Sequence, residues 1–264
     1  MPGLVVVWRV ELVGPKGPER LNGDVDSTSM EPVSRVVAEW SNDSGRVAVV
    51  EGTRGFESRR ETCPHAQFWV LLDGRWTERR GGRSRAIEKA QTVAYAPKEP
   101  CLRIAEEDFL GVSIQLYDVE CGSLPLELPR ESHQAVWRLA HLARSGQLGE
   151  AEIDALATLG EHNTRKAPDW LERAYTRLRE GGYHDLETLA HEVGISPNHL
   201  SAAFANHYGV PIAHFVRRQR VRRALAQGHA DWILGGFYDP SHFHRVCKQE
   251  FGLPVRSIKK LLSA

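Results

Sequence analysis

The sequence predicts an α+β protein with a β-rich N-terminal half, linker helices and an all-α C-terminal domain. Three observations carry this. Apolar, β-branched and aromatic runs separated by Gly, Pro and Asp fill residues 1–125. Beyond residue 131 the apolar residues recur at helical spacing between recognisable caps. The last quarter holds an internal repeat: a shift of 43 places His199 on His242, Leu200 on Phe243, Phe204 on Cys247 and Tyr208 on Phe251. The same shift places Gly209-Val210-Pro211 on Gly252-Leu253-Pro254, and Phe215 on Ile258. One supersecondary unit that occurs twice implies one task done twice.

The elements follow in order. Strand-like runs lie at residues 4–12, 46–50, 68–72, 92–95 and 112–117. Asp73-Gly74 between two aromatic-rich runs predicts a hairpin. Many short strands predict a small barrel or jelly roll over residues 1–130. Trp69, Trp76 and Tyr95 are candidates to line a small-effector pocket there, although core packing explains them equally well. Cys63-Pro64-His65 is the sole metal-ligand candidate of this half, and no second His follows until His133. Three convergent ligands are therefore hard to assemble, and neither a metal nor any other cofactor is expected.

Residues 131–167 read as a helical linker. Val136, Leu139, Ala140 and Ala143 form one apolar face; Ile153, Leu156, Ala157 and Leu159 form another. These faces either pack two subunits together or cap the barrel. The polar stretch 161–167 would join the domains.

The C-terminal domain spans residues 168–264. Asp185 caps a helix whose apolar face is Leu186, Leu189, Ala190 and Val193, and Gly194 ends it. Ser196 followed by Pro197 starts the next helix, which buries Leu200, Ala203 and Phe204, with His207 on the same face. Helix, glycine turn and helix over 185–208 fit a helix-turn-helix, and fit an ordinary α-hairpin as well. A bridging helix at 212–227 and a second unit at 229–251 complete the domain.

The strings LAHEVGISPNHLSAAF, YGVP and GFYDPSHFHRVCKQEFGLP resemble the DNA-binding domain of the AraC/XylS family of bacterial transcription regulators, over residues 168–264. The resemblance implies a seven-helix domain with two helix-turn-helix motifs joined by a long helix, each offering a recognition helix to the major groove of double-stranded DNA. Residues 64–116 are loosely similar to the cupin-like sensor found before such domains, with residues 96–100 at its proline-rich turn. The chain departs from the family in two places. Ala202 stands where the family usually has an arginine. Only eleven residues separate Ala224 from Gly236, about seven fewer than the family has there, so residues 226–234 must supply both a turn and a helix.

On a helical wheel, Asn198, Ser201, Ala202 and Ala205 face outward on the first recognition helix, with His199 and Asn206 at the edges. Asn198 could read adenine or hold a phosphate. The second helix presents Ser241, His244, Arg245, Lys248 and Gln249. Arg245 matches the family's arginine and is the first choice for a base or phosphate contact, and Lys248 suits a phosphate. Arg217, Arg218, Arg220, Arg222 and Arg223 spread around the bridging helix, so two or three of them can meet DNA and the others must pair with acids or face water. Ser196, Arg217, Arg218 and Arg220 join the candidate contacts.

Composition agrees with a divided molecule. The 264 residues carry 34 basic and 34 acidic side chains, so net charge says nothing about nucleic acid. Its distribution does: residues 201–264 hold ten Arg or Lys against three acids. No C-x-x-C pair exists among the four Cys, and the apolar start at Leu4 is broken by Arg9 and Glu11. A reduced, cytoplasmic protein without a signal peptide or membrane span is expected.

The sequence thus predicts a DNA-binding transcription regulator, not an enzyme, whose first domain responds to a small molecule. Its expected partners are promoter or operator DNA, an effector, a second copy of the chain and, for an activator, RNA polymerase. The alternative is a ligand-binding or interaction protein of the same family whose shortened second motif impairs DNA binding.

Overall fold

The computed structural model describes residues 33–60, 64–117, 127–149, 152, 167–181, 185–226 and 231–263. The predicted strand at 4–12, the apolar stretch at 153–159, and Cys63 and Cys121 lie outside them.

Among the described residues, nine strands form two antiparallel sheets: β1 (Ser34–Ser41), β2 (Gly45–Gly52), β3 (Glu57–Arg60), β4 (Ala66–Asp73), β5 (Arg75–Arg80), β6 (Arg83–Glu88), β7 (Gln91–Tyr95), β8 (Cys101–Ala105) and β9 (Phe109–Leu116). One sheet has the order β1-β2-β9-β4-β7 and the other β3-β8-β5-β6. Three of the predicted runs fall within β2, β4 and β7, and the run at 112–117 overlaps β9 up to Leu116. Strands β1, β3, β6 and β8 carry alternating or charged sequences that give little apolar signal.

The predicted hairpin at Asp73-Gly74 is a different structure. Strand β4 pairs with β7 and β9, whereas β5 pairs with β6 and β8, so Gly74 is the corner at which the chain leaves one sheet for the other. Gly74 has φ +81°, and an added Cβ would sit 2.2 Å from the Asp108 carbonyl oxygen. Local chemistry asks for a left-handed turn in either case, and only long-range pairing separates a corner from a hairpin.

Strand β4 is buried on both faces, which explains its unbroken apolar run. Trp69 and Leu71 join Trp76, Ile87, Val93, Tyr95 and Phe109 in one core. Phe68, Val70 and Leu72 join a second core with helix α1 (Arg130–Ser145). That core continues into the C-terminal domain, through Phe237, Phe243, Val246, Phe251, Ile258 and Leu261. The apolar face expected on α1 is therefore consumed inside its own chain. Val136, Leu139, Ala140 and Ala143 are buried against the sheet and the second motif, so this face does not join subunits.

The C-terminal domain contributes six helices among the described residues: α2 (Asp169–Glu180), α3 (Leu186–Val193), α4 (Pro197–Tyr208), α5 (Ile212–Leu225), α6 (Pro240–Phe251) and α7 (Val255–Leu262). The repeat is visible in the backbone. Ser196 and Asp239 cap α4 and α6 by accepting from the N–H of His199 and His242, each followed by proline. Gly209 and Gly252 end them in left-handed conformation, and Pro211 and Pro254 precede α5 and α7. Helices α2 to α5 close over Leu171, Tyr175, Phe204, Tyr208 and Phe215.

Candidate nucleic-acid interface

The first motif is α3, Gly194 and α4. Asp185 accepts from the Thr188 N–H at 2.7 Å and Gly194 is left-handed, so the predicted caps set the turn. Leu200, Phe204 and Tyr208 bury one side of α4. The opposite side presents Asn198, Ala202 and Asn206 to solvent, with Ser201 half-buried. His199 is exposed and lies edge-on to Trp170, their ring centroids 5.3 Å apart. The Ser196 hydroxyl is committed to its cap.

The second motif is supported differently. Trp232 to Gly236 is a turn, not a helix. A Cβ on Gly235 would meet Phe237 at 2.6 Å and the Arg220 carbonyl oxygen at 2.7 Å, so only glycine admits this approach to α5. Support comes from α1 instead. The last carbonyls of α6 lack helical partners. Three α1 side chains donate to them: Arg130 Nε and Gln134 Nε2 to Gln249 O (2.7 and 2.6 Å), and His133 Nδ1 to Glu250 O (2.8 Å). His133 and Trp137 both pack edge-on against the Phe251 ring, and Trp137 Nε1 donates to Thr92 Oγ1 of β7 at 3.0 Å. Burial, and then Arg218, hold the His133 imidazole well below its usual pKa, so it is neutral.

Phe243, Val246, Cys247, Glu250 and Phe251 bury the inner face of α6. Burial pushes the Cys247 thiol up to about 12, which leaves it un-ionised. Ser241, His244, Arg245, Lys248 and Gln249 are all exposed on the outer face. The exposed Tyr238, just ahead of the Asp239 cap, was not singled out in the sequence although it lies within the GFYDPSHF string.

Two expected contacts on the bridging helix are corrected. Arg218 is 1% exposed; its guanidinium donates to Leu128 O (2.5 Å) and pairs with Glu250 (3.4 Å), so it is enclosed and cannot reach DNA. Arg220 stacks on Phe237, 4.6 Å from the ring centroid, and donates to the carbonyls of Gly235 and Gly236, which clamps the shortened turn. Arg222 is half-buried and donates to Gln219 Oε1 at 3.0 Å, and burial lowers its guanidinium to about 10. Arg217 remains part-exposed, 3.6 Å from Glu250. Glu250 is fully buried and gathers His214, Arg217, Arg218 and Arg130 within 4 Å. Sequence reasoning missed this residue, because a glutamate next to exposed recognition positions carries no mark of burial.

In the β-domain, Trp69 and Trp76 line a cavity of about 370 Å³ between the two sheets, together with Phe56, Phe109 and Arg103. Tyr95 does not line it. Its hydroxyl bonds Glu78 within the core, so it is corrected from a pocket residue to a packing residue. Among the described residues no group of three His, Cys, Asp or Glu converges as metal ligands, and no helix is long and apolar enough to cross a membrane.

A family model described as a helix-turn-helix domain matches residues 189–260. No curated protein matches the chain. Three solved structures are similar in part. A cupin superfamily protein from Desulfitobacterium hafniense is 13% identical, covering 36% of this chain and 84% of that one, with TM-score 0.30. The cupin domain of an XRE family transcriptional regulator from Enterobacter cloacae is 15% identical, covering 33% and 96%, with TM-score 0.29. KdgF from a Halomonas species is 16% identical, covering 36% and 87%, with TM-score 0.29. The chain thus carries the helix-turn-helix domain of a DNA-binding regulator behind a β-domain of two antiparallel sheets.

Proposed function

We propose that this chain is a sequence-specific transcription regulator that binds double-stranded DNA and responds to a small molecule through its β-domain. The single observation that carries the reading is the pair of cap-proline-helix-glycine units, each with one face buried and the other free. The two faces differ in chemistry. The α4 face offers amides and a hydroxyl; the α6 face offers Arg245, Lys248 and His244. DNA reading is therefore asymmetric. Arg245 reads a base edge, Lys248 holds a phosphate, and Asn198 and Ser201 make weaker polar contacts. Arg217 is the bridging-helix candidate that stays part-exposed. A second copy of the chain and, for activation, RNA polymerase are the protein partners this role calls for. The reading assigns no enzymatic step to the chain, and its place of work is the cytoplasm.

Impaired DNA binding through the shortened second motif is the competing reading, favoured by the uncharged Ala202. The full burial of the inner face of α6 speaks against it, since α1 supplies the support the turn lacks. Fluorescence anisotropy against the protein's own upstream intergenic DNA, at several salt concentrations, tests the proposal. Arg245→Ala is expected to weaken specific binding by about 1–3 kcal/mol and relax discrimination at one base. Lys248→Ala is expected to weaken all duplexes alike and reduce the salt slope by about 0.9. Affinity no better than for random duplex at every salt would remove the proposal.

A further inference from the structure

We infer that the β-domain cavity binds a small monoanion, a carboxylate on a flat apolar body, with Arg103 as its counter-charge. The inference rests on the effector-binding reading and names the ligand class. Arg103 is 9% exposed on β8 and lines the cavity. One of its terminal nitrogens donates to Ser58 Oγ at 3.1 Å, while Nε is buried with no acceptor. Among the described residues no carboxylate pairs with it. Glu78, its partner across the β5–β8 ladder, is taken up by Arg85 at 2.8 Å and by the Tyr95 hydroxyl. Arg46, a second cation at the cavity, already pairs with Glu39 at 2.6 Å.

Two further donors stand without acceptors. Trp69 and Trp76 are 7% and 3% exposed, both line the cavity, and the indole N–H of each is buried and unpartnered. An indole donates only, and a guanidinium cannot become neutral at ordinary pH. The cavity therefore combines the Arg103 charge with aromatic walls at Phe56, Trp69, Trp76 and Phe109 and a polar remainder that includes Gln67, Ser113 and the exposed Glu57, beside three buried donors that have next to no accessible surface. Buried donors require acceptors and a buried cation requires an anion. A neutral polyol would leave the Arg103 charge unanswered. A dianion would bring one charge too many. A monocarboxylate answers that charge, and its planar oxygens match the planar guanidinium donors.

The walls specify the rest of the ligand. The Arg103 guanidinium lies 4.7 Å from the Trp69 ring centroid and 5.8 Å from that of Trp76. Trp76 meets Trp69 and Phe109 edge to face. The volume is that of a small-molecule site, and the rigid aromatic rings favour a flat apolar body over a flexible chain.

Tryptophan fluorescence of the full chain tests this, with benzoate, phenylacetate and 3-phenylpropanoate each titrated beside its own amide. At least one acid is expected to saturate, bound about tenfold or more tightly than the amide, as a charge-assisted hydrogen bond implies. Arg103→Gln is expected to lose that preference and Arg103→Lys to keep part of it. Amides that bind as well as acids would overturn the inference, as would the absence of saturation by any acid at millimolar concentration. Neither result depends on a variant folding. Anisotropy on DNA, run with and without the acid, separates the two claims. Acid binding with unchanged DNA affinity leaves this inference standing and removes effector control. DNA affinity that responds equally to acid and amide removes this inference and leaves effector control.

Discussion

Two side chains with no DNA or ligand role hold the second motif in place, Glu250 and His133. Glu250 sits fully buried among four basic side chains drawn from α1 and α5. Replacing it with glutamine removes the carboxylate paired with the enclosed Arg218 guanidinium and leaves Glu127 as its remaining anionic neighbour. Glu250→Gln is therefore expected to cost about 3–5 kcal/mol in a urea titration. His133 sets a pH dependence. Its folded pKa lies well below the usual 6.5, so below that pH the unfolded chain takes up a proton the folded chain refuses. Its contribution to stability is thus intact above about 6.5 and falls as the pH drops, by at most about 1.4 kcal/mol per pH unit. Urea midpoints at pH 7.5 and 5.5 would show the loss, and His133→Gln would reduce it.

At the scale of elements, α1 is the unexpected part. Its sequence announces an amphipathic helix and leaves open what covers the apolar face. The structure spends that face on the outer side of the five-stranded sheet and on α6 and α7. The shortened segment before α6 needs such help. Its turn is held by the Arg220 clamp and a close approach at Gly235, with no buried helix of its own among the described residues. Trp137 touches both sides, with its N–H on Thr92 of the sheet and its ring on Phe251 of α6. Trp137→Ala is expected to destabilise the fold by about 3–5 kcal/mol. It should also weaken DNA binding more than an equally destabilising change in α2, read by anisotropy below the unfolding temperature.

At the scale of the whole molecule, the two DNA motifs are fastened unequally to the β-domain. The first is tied through the neighbouring helix α2 by polar pairs, Arg83 with Glu172 and Arg179 with the Ala86 carbonyl. The second shares a continuous apolar core with the sheet. Removal of residues 1–167 would strip that core of its sheet and α1 side and expose Phe243, Phe251 and Leu261. A chain of residues 168–264 is expected to keep the first motif folded through its own core and to lose protection at α6 and α7, measured by hydrogen exchange. Equal protection in both motifs would contradict this division.

The sequence by itself determined the α+β class, the 43-residue repeat, the caps at Asp185 and Ser196, and the exposure of Asn198 and Ala202 on α4 and of the outer face of α6. These rest on local chemistry: periodicity, capping oxygens, proline at the first helical position and glycine past the last. The tertiary structure alone decided three other matters. Gly74 became a corner between sheets and not a hairpin turn, because strand partners are chosen across the whole domain. Arg218 and Arg220 left the DNA face, because a guanidinium's fate depends on the carboxylates and carbonyls the fold brings to it. Arg103 became the charge of a cavity, because its neighbours on β4 and β5 lie far away in sequence and meet it only once the sheets have closed.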